Sequence, residues 1–146
     1  MNSMFKFIGL SFEEKVLIVR ASCWLLFFRA GLFLAPMRLA KKWIRNGESQ
    51  ESTYHRVGTP NINDIVRAVR LCKRFVPYAT CLTQALAARR LLSRYGYDAI
   101  LKIGVAKSES KLEAHAWIEV DGKVVLGRQA YHSRYAVLET PRPILI

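Results

Sequence analysis

The chain has 146 residues, 51% of them hydrophobic, which is enough for one compact domain with a modest core and too little for two. Lys and Arg number 23 against 11 Asp and Glu, a formal charge of +12, so an anionic partner or a soluble basic surface is expected. Cys23, Cys72 and Cys81 are odd in number and contain no C-x-x-C pair, and His55, His115 and His132 lack zinc-ligand spacing; this argues against a disulfide framework, a metal or another cofactor, and fits a reducing cytoplasm.

The positive excess lies in the first two thirds, with eight basic against three acidic residues in 1–50, nine against three in 51–102 and six against five in 103–146. Nucleic acid, anionic lipid headgroups and an acidic peptide or protein are the candidate partners. No helix-turn-helix, zinc-finger or ribonucleoprotein signature is present, so nucleic acid is not expected.

Residues 1–46 read as an N-terminal helical extension. Ser11 with Glu14 forms a capping-box pattern, and Glu13 and Glu14 favour the positive end of a helix dipole. The helix is expected to run to about Leu34, before Pro36, with a shorter basic piece ending at Asn46-Gly47. From Val16 to Ala35 it is apolar apart from Arg20, Ser22, Arg29 and Gly31, long enough to raise a membrane span. Two arginines, each costing about 2.5–3.5 kcal/mol at mid-bilayer, argue against one. Acids at the start and the lack of a cleavage site argue against a signal peptide. The expectation is a greasy helix docked on the catalytic unit, on a partner or, as a peripheral contact through helices 11–45, on a membrane surface.

Residues 47–60 are rich in Gly and small polar residues and read as a linker; 61–146 read as the catalytic core. Asn61 or Asn63 caps a helix whose Ile65, Val66, Val69 and Cys72 form an apolar stripe, stopped by Pro77. Thr80 caps a second helix that carries Cys81 in its first turn and ends at Gly96. Strands are expected at 99–106, 114–120, 123–126 and 135–138, with Asp121-Gly122 as a two-residue hairpin turn. Helices followed by an antiparallel meander make an α+β fold with helices on one face of the sheet. Cys23 and Cys72 read as small core residues, and Arg67, Arg70, Lys73, Arg74, Arg89, Arg90 and Arg94 as a solvated face or a docking surface for an acidic partner.

A thiol attacks as its thiolate, a form favoured at a helix N-terminus or beside a histidine, and Cys81 meets the first condition. In AHAWIEV (114–120), alternation puts His115, Trp117 and Glu119 on one face, which suggests a face turned toward a site, with Trp117 either walling a groove or belonging to a core. If that face meets the start of the Cys81 helix, His115 can act as the base, and the unpaired N–H groups of the first turn can stabilise an oxyanion. A structural role for both residues remains the alternative.

The segments YATCLTQALAARRLLSRYGYDAILKIGV (78–105), HAWIEVDGKVVLG (115–127) and YAVLE (135–139) resemble the transglutaminase-like core of the lasso-peptide leader peptidases, a papain-like arrangement. The apolar helix before Pro36 is similar to the extension of that family. The resemblance implies a cytoplasmic cysteine peptidase that cuts the leader from a ribosomally made precursor peptide. It also implies a separate small leader-binding protein as partner, and an ATP-dependent lasso cyclase acting afterwards. Cys81 and His115 carry over as nucleophile and base. The acid expected about a dozen residues after the histidine is missing, since Gly127, Arg128 and Gln129 stand there. Asp121, Glu119 and Gln129 are the candidates to orient the ring, the last as a neutral amide. Amide transfer or deamidation by the same pair, and a non-catalytic basic binding module, are the rival functions.

Overall fold

A computed structural model describes residues 9, 11–34, 38, 41–42, 59–108, 111–128 and 135–138. The expected stop at Asn46-Gly47, most of the linker, His55, Gln129 and His132 lie outside them.

Helix α1 spans Phe12–Leu34 and opens with the reciprocal capping box: Ser11 N donates to Glu14 Oε2 at 2.9 Å and Glu14 N to Ser11 Oγ at 3.3 Å. Helix α2 spans Ile62–Cys72 and is capped by Asn61, whose Oδ1 accepts from Asp64 N at 2.9 Å. Helix α3 spans Cys81–Arg94 with Thr80 as its cap. It closes in a Schellman arrangement, Tyr97 N to Leu92 O at 3.0 Å and Gly96 N to Ser93 O at 3.1 Å, which satisfies two terminal carbonyls and turns the chain toward the sheet.

Strands β1 (Ala99–Ser108), β2 (Lys111–Val120), β3 (Lys123–Leu126) and β4 (Ala136–Leu138) form one antiparallel sheet in the order β3-β2-β1-β4. The first three strands are the expected meander. The fourth departs from it by crossing back to pair with β1, Gly104 lying opposite Val137. This encloses β1 and β2, and brings Tyr135, just before β4, beside β2.

The cross-strand pairs Ala99 with Val120 and Leu101 with Ile118 turn their side chains to the helices. There they join Ala85, Leu86, Leu91 and Leu92 of α3, Ile65, Val69 and Cys72 of α2, and Leu17, Ala21, Leu25 and Phe28 of α1 in one buried cluster. Both arginines of α1 are engaged. Arg20 donates to Tyr95 Oη at 2.7 Å, and Arg29 lies 5.9 Å from the Tyr78 ring centroid. The helix is long and apolar enough to cross a membrane by length and composition, yet one stripe of it packs on α2 and α3 while Val19, Leu26, Phe27 and Phe33 on its remaining surface are exposed.

Two burial expectations are corrected. Cys23 is exposed on α1, because the stripe that docks runs through Leu17, Ala21, Leu25 and Phe28 and leaves position 23 on the other side of the helix. Arg89 is buried, and Arg90 stacks 5.2 Å from the Trp24 ring, so the basic residues of α3 are divided between the interior, an aromatic contact and solvent. Cys72 is buried as expected, its Sγ accepting from Ser22 Oγ at 3.2 Å and donating to Ile18 O at 3.3 Å. Burial pushes its thiol above the ordinary range, an effect the Ser22 hydrogen bond partly offsets.

Truncating fully buried Leu25 to Ala should therefore cost about 2–5 kcal/mol in chemical denaturation; a change near zero would mean that α1 is not part of the cooperative unit. At mildly alkaline pH, iodoacetamide should label exposed Cys23 but spare Cys72 until denaturant is added, as mass spectrometry of the digested protein would show.

Candidate active site

Cys81 is the first residue of α3. The chain reaches it through Tyr78, held at φ 58°, a left-handed conformation that is uncommon for a bulky residue and is the kind of local strain that collects at functional sites. Thr80 Oγ1 accepts from Thr83 N at 3.3 Å, satisfying one of the orphan donors of the first turn. Gln84, one turn on, directs its side-chain amide back along the entry segment, Nε2 donating to Ala79 O at 3.0 Å and Thr80 O at 3.3 Å. Its two amide protons are thus committed to bracing the backbone ahead of Cys81.

His115 enters from β2. It and Cys81 line one open cleft of about 560 Å³, together with Lys73, Ala79, Gln84, Glu113, Leu126, Gly127, Arg128 and Tyr135, a size within the usual range of ligand sites. The ring lies between two aromatics, near-parallel to Trp117 at 6.1 Å between centroids and tilted against Tyr135 at 5.5 Å. Its Nε2 is 2.6 Å from the carbonyl oxygen of Gly127. A carbonyl only accepts, so Nε2 carries the proton, and in the neutral ring Nδ1 is the basic nitrogen.

A main-chain carbonyl thus stands at hydrogen-bond distance from Nε2, a group that the sequence reading did not weigh beside Asp121, Glu119 and Gln129. Asp121 sits in the hairpin turn at φ 51° beside Gly122 at φ 72°, exposed and six strand positions from His115, about 20 Å along β2. Glu119 accepts from Trp117 Nε1 at 2.8 Å. Neither lines the cleft, and Gln129 lies outside the described residues.

The Gly127 carbonyl reaches the ring because of a register shift. Glu119 pairs with Val124 but Ile118 with Leu126, leaving Val125 as the extra residue of a bulge. Such a bulge bends its strand and re-aims the residues beyond it. At φ 85°, Gly127 then passes so close to β2 that a Cβ on it would meet Ala116 O and Trp117 Cβ at 2.9 Å. Across the sheet, Gly104 pairs with His115, and a Cβ there would stand 2.9 Å from the Trp117 ring and 2.8 Å from Tyr135 Cβ. Gly104 thus admits the indole, and Gly127 lets the chain pass the backbone of Trp117, a residue only 2% exposed. Of the two readings left open for it, Trp117 is a buried support behind His115 and does not wall the groove.

Sequence reasoning missed Gln84, Tyr135 and the Gly127 carbonyl. Gln84 was legible in principle, since three residues after Cys81 is one helical turn. A carbonyl has no residue-type signal. Among the described residues no group of three or more His, Cys, Asp or Glu is arranged to hold a metal ion.

Residues 24–140 match the family model described as the transglutaminase-like superfamily. No match was found among curated proteins or solved structures.

Gly127→Ala should lower stability by about 1–3 kcal/mol and shift the His115 ring resonances in NMR spectra. Gly122→Ala carries similar backbone strain with nothing within 4 Å of its Cβ, and should leave those resonances in place.

Proposed function

Because this chain belongs to the transglutaminase-like superfamily, we propose that it is a cysteine peptidase that removes the leader from a ribosomally made lasso-peptide precursor, with Cys81 as nucleophile and His115 as general base and acid. The observation that carries the reading is the meeting of a first-turn cysteine and a histidine in one cleft, with Nε2 of that histidine engaged by a carbonyl. In the neutral ring Nδ1 is then the basic nitrogen, and in this reading it exchanges the proton with sulfur.

In the proposed reaction His115 Nδ1 takes the Cys81 proton and the thiolate attacks the scissile carbonyl carbon, forming a C–S bond. First-turn N–H groups of α3, with Thr83 N already engaged by Thr80, stabilise the oxyanion of the tetrahedral intermediate. The imidazolium, its Nε2–H held on Gly127 O, returns its proton to the leaving amine as the C–N bond breaks. Water, deprotonated by the same histidine, hydrolyses the thioester and frees the new carboxylate. A neutral carbonyl can hold the tautomer and orientation of the ring, the role a side-chain amide or carboxylate has in other Cys-His sites.

The peptide arrives, in this reading, on a separate small leader-binding protein, and the freed core passes to the lasso cyclase. Wild-type protein incubated with precursor and leader-binding protein should give two fragments whose masses sum to the precursor plus one water. Cys81→Ala should lower kcat/KM by roughly 10⁴-fold or more, and His115→Ala by roughly 10²–10⁴-fold. Ammonia loss without cleavage would instead indicate deamidation or cross-linking by the same pair, and full activity in both variants would sink the catalytic reading.

A further inference from the structure

Beside the Cys81 cleft lies a second concavity of about 860 Å³, between α2 and β3. Arg67 and Arg70 of α2 and Arg74 in the turn after it form one wall, and Lys123 of β3 with Arg128 forms the other. All five cations are exposed, no acid lines the groove, and among the described residues none of the five is held in an ion pair. Glu14 and Asp64 border a small cavity that Arg67 also lines, and Glu113 lines the Cys81 cleft together with Arg128. The floor is apolar, with Val66, Leu71, Val124 and Val125. Cations over a low-dielectric floor concentrate their field inside the groove, where an exposed convex surface would dissipate it.

Two observations identify the occupant. Arg128 lines both this groove and the Cys81 cleft, so the two adjoin at that residue, and a chain seated across Cys81 has a short path into the basic groove. Strand β3 is also an edge of the sheet, and the groove is lined by β3 and by no residue of β2. Among the described residues it thus borders β3 on the side away from β2, where no further strand pairs with it, a surface suited to an extended peptide. Apolar floor and strand edge fit alternating acidic and apolar side chains better than a polyphosphate backbone.

We propose that this groove binds an acidic, extended segment of the peptide substrate and holds it in register with Cys81. The proposal rests on the peptidase reading for the identity of the substrate, but the binding itself does not require catalysis, so it is tested on the Cys81→Ala protein. The probe is a short fluorescent peptide alternating Glu with Val, compared by anisotropy with its Gln-for-Glu counterpart and with a single-stranded oligonucleotide of equal charge.

The acidic peptide should bind most tightly and weaken with salt. Replacing Arg70, Arg74 and Lys123 together by Glu should weaken it at least ~10-fold, and the corresponding Gln variant, which guards against misfolding from charge reversal, should weaken it to a lesser degree. In the background of active Cys81, both variants should raise KM for an acidic peptide and leave kcat near wild type. Equal binding of the Gln-for-Glu peptide, no effect of either triple variant, or tighter binding of the oligonucleotide would overturn the proposal. Absence of hydrolysis in wild type, with binding as described, would remove the peptidase reading and keep the groove.

Discussion

His115 Nε2 and the carbonyl of Gly127 stand 2.6 Å apart, and much of the irregularity of the sheet is arranged around that contact. The bulge at Val125 advances β3 by one residue, the left-handed turn at Gly127 swings the carbonyl inward, and the missing side chain lets the backbone pass within van der Waals range of Ala116 and Trp117. Gly104 clears the other side of the indole. The Nε2 contact sets the tautomer of the ring, and Trp117 and Tyr135 pack against it. A neutral acceptor also spares the site a buried carboxylate, whose desolvation would have to be offset by further hydrogen bonds.

Helix α3 supplies the other half of the site and is itself held from both sides. Its inner face covers the sheet through Ala85, Leu86, Leu91 and Leu92, and α1 lies against it and α2. The two arginines of α1 each have an aromatic partner in the body of the protein: Tyr95, at the end of α3, and Tyr78, in the entry to Cys81. The Arg29–Tyr78 contact thus brings α1 against the segment that leads into Cys81. The exposed apolar residues on the rest of α1 are the part of its composition that internal packing does not account for.

The charge, read as a whole, resolves into distinct uses. Arg20 and Arg29 tie α1 down, Arg90 covers Trp24, Arg89 is buried, and Arg67, Arg70, Arg74, Lys123 and Arg128 gather around one groove. The last group adjoins the cleft that Cys81 and His115 line.

The order of elements, the caps at Ser11, Asn61 and Thr80, the stop at Gly96, the Asp121-Gly122 turn and the alternation of β2 were all legible from the sequence, because each depends on contacts within a few residues or on a simple period. The pairing of Cys81 with His115 was an expectation from their local settings and from a resemblance. That the two line one cleft, that β4 returns to β1, that Cys23 faces solvent and Arg89 does not, and that cations from α2 and β3 share a groove were decided by tertiary packing. The acceptor on His115 Nε2 was out of reach of residue-type reasoning altogether. It is a backbone carbonyl, set in place by a one-residue register shift between two strands, and every residue carries the same carbonyl wherever it stands in the chain.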